Sequence, residues 1–263
     1  MSDSKSPDES LLVEKSNGVL KLTINRPDKR NALRLDLLDA LGTTLADHAH
    51  NDAIKVAVIT AAGDRCFAAG GDLDELDAIR STDEAEAMSK RGRRSLDQIR
   101  NFPLPVIGAL NGLALGGGAE LAMACDLRIA AQNAEIGFLQ GQLGVTTAWG
   151  GGIDLIVAAG ARRALDLLVS ARRLTAEEAV AAGLIDRTCA DGESLDECLA
   201  DFLKSYVARS RKVLEGFKAL TTGHRQVIHK HLSSIEQNHF VSSWTDDEHW
   251  AAVERAASNR RKK

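Results

Sequence analysis

The chain has 263 residues, 44% of them apolar, and a formal net charge of −4. That length supports one sizeable domain, or a domain with a helical appendage. The charge balance provides no global basic field for nucleic acid or a membrane surface, and no stretch approaches the roughly 20 apolar residues of a membrane-spanning helix.

Residues 1–10 are polar and lack the apolar run of a signal peptide, so a disordered lead-in is expected there. Val19-Leu20-Lys21-Leu22-Thr23-Ile24 alternates as a half-buried strand does, and Asn25-Arg26-Pro27-Asp28 turns the chain. Leu33, Leu37, Leu38, Leu41 and Leu45 recur at helical spacing. Val56-Ala57-Val58-Ile59-Thr60 reads as a buried strand, which Ala61-Ala62-Gly63-Asp64 breaks. The acidic stretch 72–77 opens a helical region expected to run on through 91–94. Phe102-Pro103-Leu104-Pro105 leads into a strand at Val106-Ile107-Gly108-Ala109. Gly116-Gly117-Gly118 precedes a helix by composition at Ala119-Glu120-Leu121-Ala122-Met123-Ala124. Leu127-Arg128-Ile129-Ala130 is strand-like, and a second triplet, Gly150-Gly151-Gly152, precedes an apolar run. From Arg162 onward the pattern is almost wholly helical. Strands alternating with helices predict an α/β core with mostly parallel strands. The four cysteines, Cys66, Cys125, Cys189 and Cys198, form no CxxC pair, so a reducing, cytoplasmic setting is expected.

Two glycine-rich segments are candidates for chemistry. They are Phe67-Ala68-Ala69-Gly70-Gly71-Asp72-Leu73 and the run from Asn111-Gly112 to Gly116-Gly117-Gly118-Ala119-Glu120. Each follows a strand-like run and enters a helix, where unpaired N–H groups and close backbone approach are available. Two such junctions side by side would aim two donors at one oxygen, as an oxyanion hole does. The competing reading makes these ordinary turn and packing glycines. No GK[ST] follows either cluster and the spacing is not GxGxxG, so phosphate and dinucleotide loops are disfavoured. Glu120 is either a general acid/base beside such a hole or a carboxylate favoured by its helix N-terminus. There is no GxSxG and no HExxH, and the His48/His50 and His229/His231 pairs do not face one ligand on a helix. No metal is expected.

Together these residues resemble the crotonase (enoyl-CoA hydratase/isomerase) superfamily, over about residues 12–254. Asn25-Arg26-Pro27-Asp28-Lys29-Arg30-Asn31-Ala32-Leu33 is similar to the family's opening motif, and the two glycine-rich segments to its two oxyanion-hole segments. Leu174-Thr175-Ala176-Glu177-Glu178-Ala179 with Gly183-Leu184-Ile185-Asp186 resembles a later family stretch. The resemblance implies a spiral of ββα units over 11–195, followed by a helical trimerisation region over 196–263. It implies a homotrimer or dimer of trimers. It implies an acyl-CoA thioester as substrate, with coenzyme A part of that substrate and no other cofactor. Gly71 and Gly117 would donate the two N–H groups and Glu120 would be the catalytic acid. Arg26, Lys29, Arg30, Ala32, Ala69, Asp72 and Leu73 would form the CoA site.

The chain also departs from the family pattern. Hydratases of the family use two glutamates, and the second position is Gln140 here, which cannot exchange a proton near neutral pH. The position where some relatives carry an aspartate is Ala148. Ala148-Trp149-Gly150-Gly151 and the ending Ser243-Trp244 with Glu248-His249-Trp250 look more like the branch containing ethylmalonyl-CoA decarboxylase. Single-carboxylate hydration and decarboxylation of a malonyl-type CoA ester both remain open. So does a catalytically weak CoA-thioester binder that lost the second acid.

Overall fold

The computed structural model describes residues 10–261. The expected lead-in at 1–9 lies outside the described residues; Ser10 is buried, and its carbonyl accepts the Asn25 N–H at 2.7 Å. Strands β1 (Leu11–Ser16) and β2 (Val19–Ile24) pair antiparallel across Asn17-Gly18. Both turn residues have positive φ, 49° and 82°, which a tight hairpin requires and Asn-Gly readily supplies. Helix α1 (Leu35–His48) buries Leu37, Leu38, Leu41 and Leu45 of the expected leucine stripe, together with Leu35, whereas Leu33 lies before the helix in a bridge to Gly71.

A unit of two strands and a helical segment then repeats. β3 (Val56–Ala61) and β4 (Cys66–Ala68) precede α2 (Leu73–Leu76) and α3 (Thr82–Arg100). β5 (Val106–Leu110) and β6 (Leu113–Leu115) precede α4 (Gly117–Ala124). β7 (Leu127–Ala130) and β8 (Glu135–Gly137) precede α5 (Gly151–Ala159) and α6 (Ala161–Ser170). After β9 (Leu174–Thr175), α7 (Ala176–Ala181) and β10 (Arg187–Thr188) come α8 (Leu195–Val207), α9 (Arg211–Trp244) and α10 (Asp247–Arg261). Within each unit the first strand joins a six-stranded sheet, β1-β2-β3-β5-β7-β10, and the second a four-stranded sheet, β4-β6-β8-β9. Pairing is parallel except at β1–β2 and β8–β9. This is the α/β spiral of ββα units with a helical C-terminal region that the resemblance implies.

The alternation of strand side chains divides the core. Ala57, Ile59 and Ala61 of β3 face the main cluster with α1 and the small sheet, whereas Val56 and Val58 join Ile107, Ala109 and Ile129 against Cys198, Leu199 and Leu203 of α8. Among the described residues no helix is long and apolar enough to cross a membrane.

Three expectations need correction. The helix expected from 72 through 94 is two helices. Ser81 accepts the Glu84 N–H while Glu84 accepts the Ser81 N–H, and this capping box starts α3 afresh. The tract after Arg162 is not all helix: β9 and β10 extend the two sheets by two residues each, too short for a periodicity to register. β1, β4, β6 and β8 also add to the strands read from the sequence. The last three have only three residues apiece, so sheet pairing rather than local pattern defines them.

Candidate active site

Two asparagines set the loops that carry the first glycine segment. Asn31, buried with φ 54°, donates from Nδ2 to the Ala62 and Cys66 carbonyls at 3.0 and 2.6 Å, and its Oδ1 accepts the Arg26 N–H. Asn111 Nδ2 donates to the Gly63 carbonyl at 2.7 Å. The opening motif is thereby laid beside residues 69–72. Arg30 O accepts from Ala69 N, Gly70 O from Leu33 N, and Leu33 O from Asp72 N. Gly71 N–H lies between these paired neighbours and has no backbone acceptor among the described residues.

Gly117 is the first residue of α4, where an N–H has no intrahelical acceptor. A Cβ built on Gly117 would lie 3.3 Å from the Gly71 nitrogen, so the two amides are neighbours. Gly70 and Gly116, each just before a donor, hold φ at +112° and +56°, a region that favours glycine. Gly71 and Gly117 are half-buried, and Glu120 and Trp149 are buried beside them. Two unpaired amides on neighbouring backbones form an arrangement suited to holding a developing oxyanion.

Glu120 does not cap its own helix. Oε2 accepts the Trp149 and Gly151 N–H groups at 2.8 and 3.0 Å, and Oε1 accepts Gln140 Nε2 at 3.0 Å and the Ala148 N–H at 3.4 Å. The carboxylate therefore sits at the start of α5, and Gly151 permits the fit: a Cβ there would meet Glu120 Cγ at 2.3 Å. Burial and the charge of Glu236 push its pKa up to about 7, against the lowering effect of the backbone donors. At neutral pH both protonation states are populated, as an acid that must give and regain a proton requires. Gln140, the expected second-acid position, directly contacts Glu120, and its Oε1 is buried without a partner among the described residues.

The sequence offered no sign of two supporting residues. Glu236, on α9, accepts the Gly150 N–H at 2.8 Å and the Thr147 hydroxyl at 2.5 Å, and pairs with Arg93. Arg100 donates to the Trp149 carbonyl at 2.7 Å and pairs with buried Asp154. Segment 147–151 is thus pinned from α3, α4 and α9. Because Glu236 opposes ionisation of Glu120, Glu236→Gln is expected to lower the Glu120 pKa from about 7. Any step that needs protonated Glu120 should then lose its rate at lower pH than in the wild type, read as a shifted alkaline limb in kcat against pH.

The expected CoA residues divide into two groups. Arg26 turns inward: Nη1 donates to the Ala32 carbonyl at 2.5 Å and Nη2 pairs with Asp72 at 2.7 Å, with both side chains 11% exposed. Asp72 also caps α2. These residues, with Ala32 and Ala69, hold the loop in shape. Arg30 is exposed, the Lys29 ammonium forms a surface pair with Asp74 at 3.5 Å, and Leu73 is 40% exposed. A separate cleft lies elsewhere. It measures about 490 Å³, lies beyond the carboxyl ends of the large sheet near Thr60, Asn111 and Glu193, and touches none of Gly71, Gly117 and Glu120.

The family model for enoyl-CoA hydratase/isomerase matches residues 14–255. The chain is 37% identical over 189 residues to a crotonyl-CoA hydratase of Syntrophomonas wolfei, covering 72% of each. It is 33% identical over 187 residues to a short-chain-enoyl-CoA hydratase of Clostridium acetobutylicum, covering 71% of each. The solved enoyl-CoA hydratase/isomerase of Pseudoalteromonas atlantica T6c superposes with a TM-score of 0.83 at 29% identity, over 95% of this chain and 97% of that one. With a match across nearly the whole chain and the same spiral, this protein belongs to the enoyl-CoA hydratase/isomerase family.

Proposed function

We propose that this family member decarboxylates a malonyl-type CoA thioester through an enolate held by the Gly71 and Gly117 N–H groups. The observation that carries the reading is Gln140 donating to Glu120 at 3.0 Å, which leaves one titratable group where two-acid hydration needs a pair. In the proposed step the bond between the α-carbon and the carboxylate breaks. CO₂ leaves, and the electron pair moves into the thioester as an enolate with its charge on the carbonyl oxygen. Protonated Glu120 gives its proton to the α-carbon, yielding the saturated acyl-CoA, and the carboxylate regains a proton from solvent. A pKa of about 7 suits both halves of that cycle. Lys29 and Arg30 are proposed to meet CoA phosphates, and no further cofactor is invoked. The buried, unpaired cysteines support a reducing, cytoplasmic setting.

Single-acid hydration is the second reading, favoured by the relatives named as hydratases. Mass spectrometry after incubation with malonyl-type, enoyl- and hydroxyacyl-CoA esters separates the readings. Loss of CO₂ is expected. Water addition without CO₂ loss would replace decarboxylation by hydration, and binding without turnover would favour a thioester-binding protein.

A homotrimer, or a dimer of trimers, completes the proposal. Val213, Phe217, Leu220, Val227 and Ile235 form an exposed apolar stripe along α9, with Phe217 66% and Leu220 74% exposed. A stripe of this length on one helix is suited to a protein partner. Phe217→Asp with Leu220→Asp is expected to lower the mass found by light scattering at micromolar concentration. An unchanged mass would place the contact elsewhere.

A further inference from the structure

We propose that Trp149 sets the acyl specificity of this chain: its indole walls the space beside Gly71 and Gly117, so that compact acyl groups are admitted and extended chains are turned away. The inference rests on the thioester oxygen lying between those two amides. The indole stands on three glycines. A Cβ on Gly92, in the middle of α3, would lie 2.3 Å from Trp149 Nε1, and one on Gly117 would lie 2.5 Å from Cζ3. One on Gly71 would be 3.7 Å from Cη2. The five-membered ring thus faces α3, and the benzo edge faces the two donor glycines. Any side chain at Gly92 or Gly117 would collide with the ring.

The wall is held at both ends of the residue. Trp149 N–H donates to Glu120 at 2.8 Å, and its carbonyl accepts from Arg100 at 2.7 Å. The preceding carbonyl, that of Ala148, accepts from Ser89 at 2.9 Å and from Arg93 at 3.3 Å. The backbone is therefore pinned by α3 and α4, and the indole is confined by its packing between Gly92 and Gly117. The residue is 4% exposed, although Gly71 and Gly117 beside it are half-buried. An acyl group whose carbonyl oxygen reaches the amides meets the benzo edge at once. A short or branched acyl group fits against that apolar edge, whereas a long straight chain runs into it.

The test is equilibrium binding by calorimetry of butyryl-CoA and decanoyl-CoA, both saturated and unreactive, so that it does not depend on which reaction is catalysed. Wild-type protein is expected to prefer butyryl-CoA. Trp149→Ala should raise decanoyl- over butyryl-CoA affinity by about tenfold or more, since each methylene that finds a buried surface contributes about fourfold. A ratio unchanged in a folded Trp149→Ala overturns the proposal. If that variant does not fold, Trp149→Leu takes its place, with the same rise expected and an unchanged ratio again overturning the proposal. Wild-type preference for decanoyl-CoA also overturns it. Gly117→Val isolates the underlying placement: unchanged butyryl-CoA affinity there would overturn the location of the thioester itself, whatever the ratio at Trp149.

Discussion

Gly117→Val is expected to abolish turnover while the protein still folds. The valine Cβ would lie 2.5 Å from Trp149 Cζ3, 3.0 Å from Cη2 and 3.3 Å from the Gly71 nitrogen. The indole has no room to retreat, because Gly92 already abuts its other edge. The new methyl groups must therefore fill the space over both N–H groups or displace the indole into it. Losing one oxyanion donor costs roughly 10²–10³ in rate, and here both are obstructed. Overpacking of this kind costs about 1–3 kcal/mol of stability, which a domain of this size tolerates. The check is initial rate at saturating acyl-CoA beside a circular-dichroism melt. A folded variant with wild-type rate would show that these amides do not hold the oxygen.

The parts of this site that are legible in sequence are those fixed by local chemistry. The two glycine-rich segments mark strand-to-helix junctions, and the structure puts Gly71 and Gly117 side by side. Asn17-Gly18 at the first hairpin and Ser81 with Glu84 at the start of α3 are equally local signals, but the sequence reading passes over both and runs one helix through 72–94. What stays hidden depends on residues that meet only in three dimensions. Glu236 lies on a 34-residue helix with no motif around it, yet it shares the 147–151 segment with Glu120. The triplet Gly150-Gly151-Gly152 is visible, but its reason is not: a Cβ at Gly151 would collide with Glu120 and one at Gly152 with Thr147. Arg26 reads as a loop cation facing phosphate, and its inward pairing with Asp72 cannot be read from spacing. The fold follows from the resemblance because alternation and turn chemistry are repeated in each unit. The electrostatics do not, because charge partners are chosen by packing.

Glu120→Gln is expected to lower turnover by roughly 10²–10⁴ while CoA-thioester binding is retained. The substitution is unusually demanding, since every neighbour of the carboxylate donates: Gln140 Nε2 and the N–H groups of Ala148, Trp149 and Gly151. An amide at 120 must turn its NH₂ toward one of them. Gln140 offers the relief. Its Oε1 lacks a partner among the described residues, so a half-turn of that amide presents an acceptor to the new NH₂, while Oε1 of residue 120 keeps the Trp149 and Gly151 bonds. The weak 3.4 Å contact from Ala148 is the bond given up. The same half-turn accommodates protonated Glu120 in the wild type, with Gln140 accepting from the carboxylic acid. The pH dependence of stability follows from the raised pKa. The folded protein holds this proton up to about 7, against an ordinary value of 4.5, so the penalty of ionising buried Glu120 is absent below about 4.5. It grows as pH rises through that window and reaches on the order of 3 kcal/mol above it. Glu120→Gln has no proton to lose, so its stability should be flatter than the wild type's between those pH values, by denaturant unfolding at several pH values. A fully active Glu120→Gln would remove the acid from the mechanism. A variant equally inactive but with the wild-type pH slope would leave Glu120 as the catalyst and assign the titration to another group.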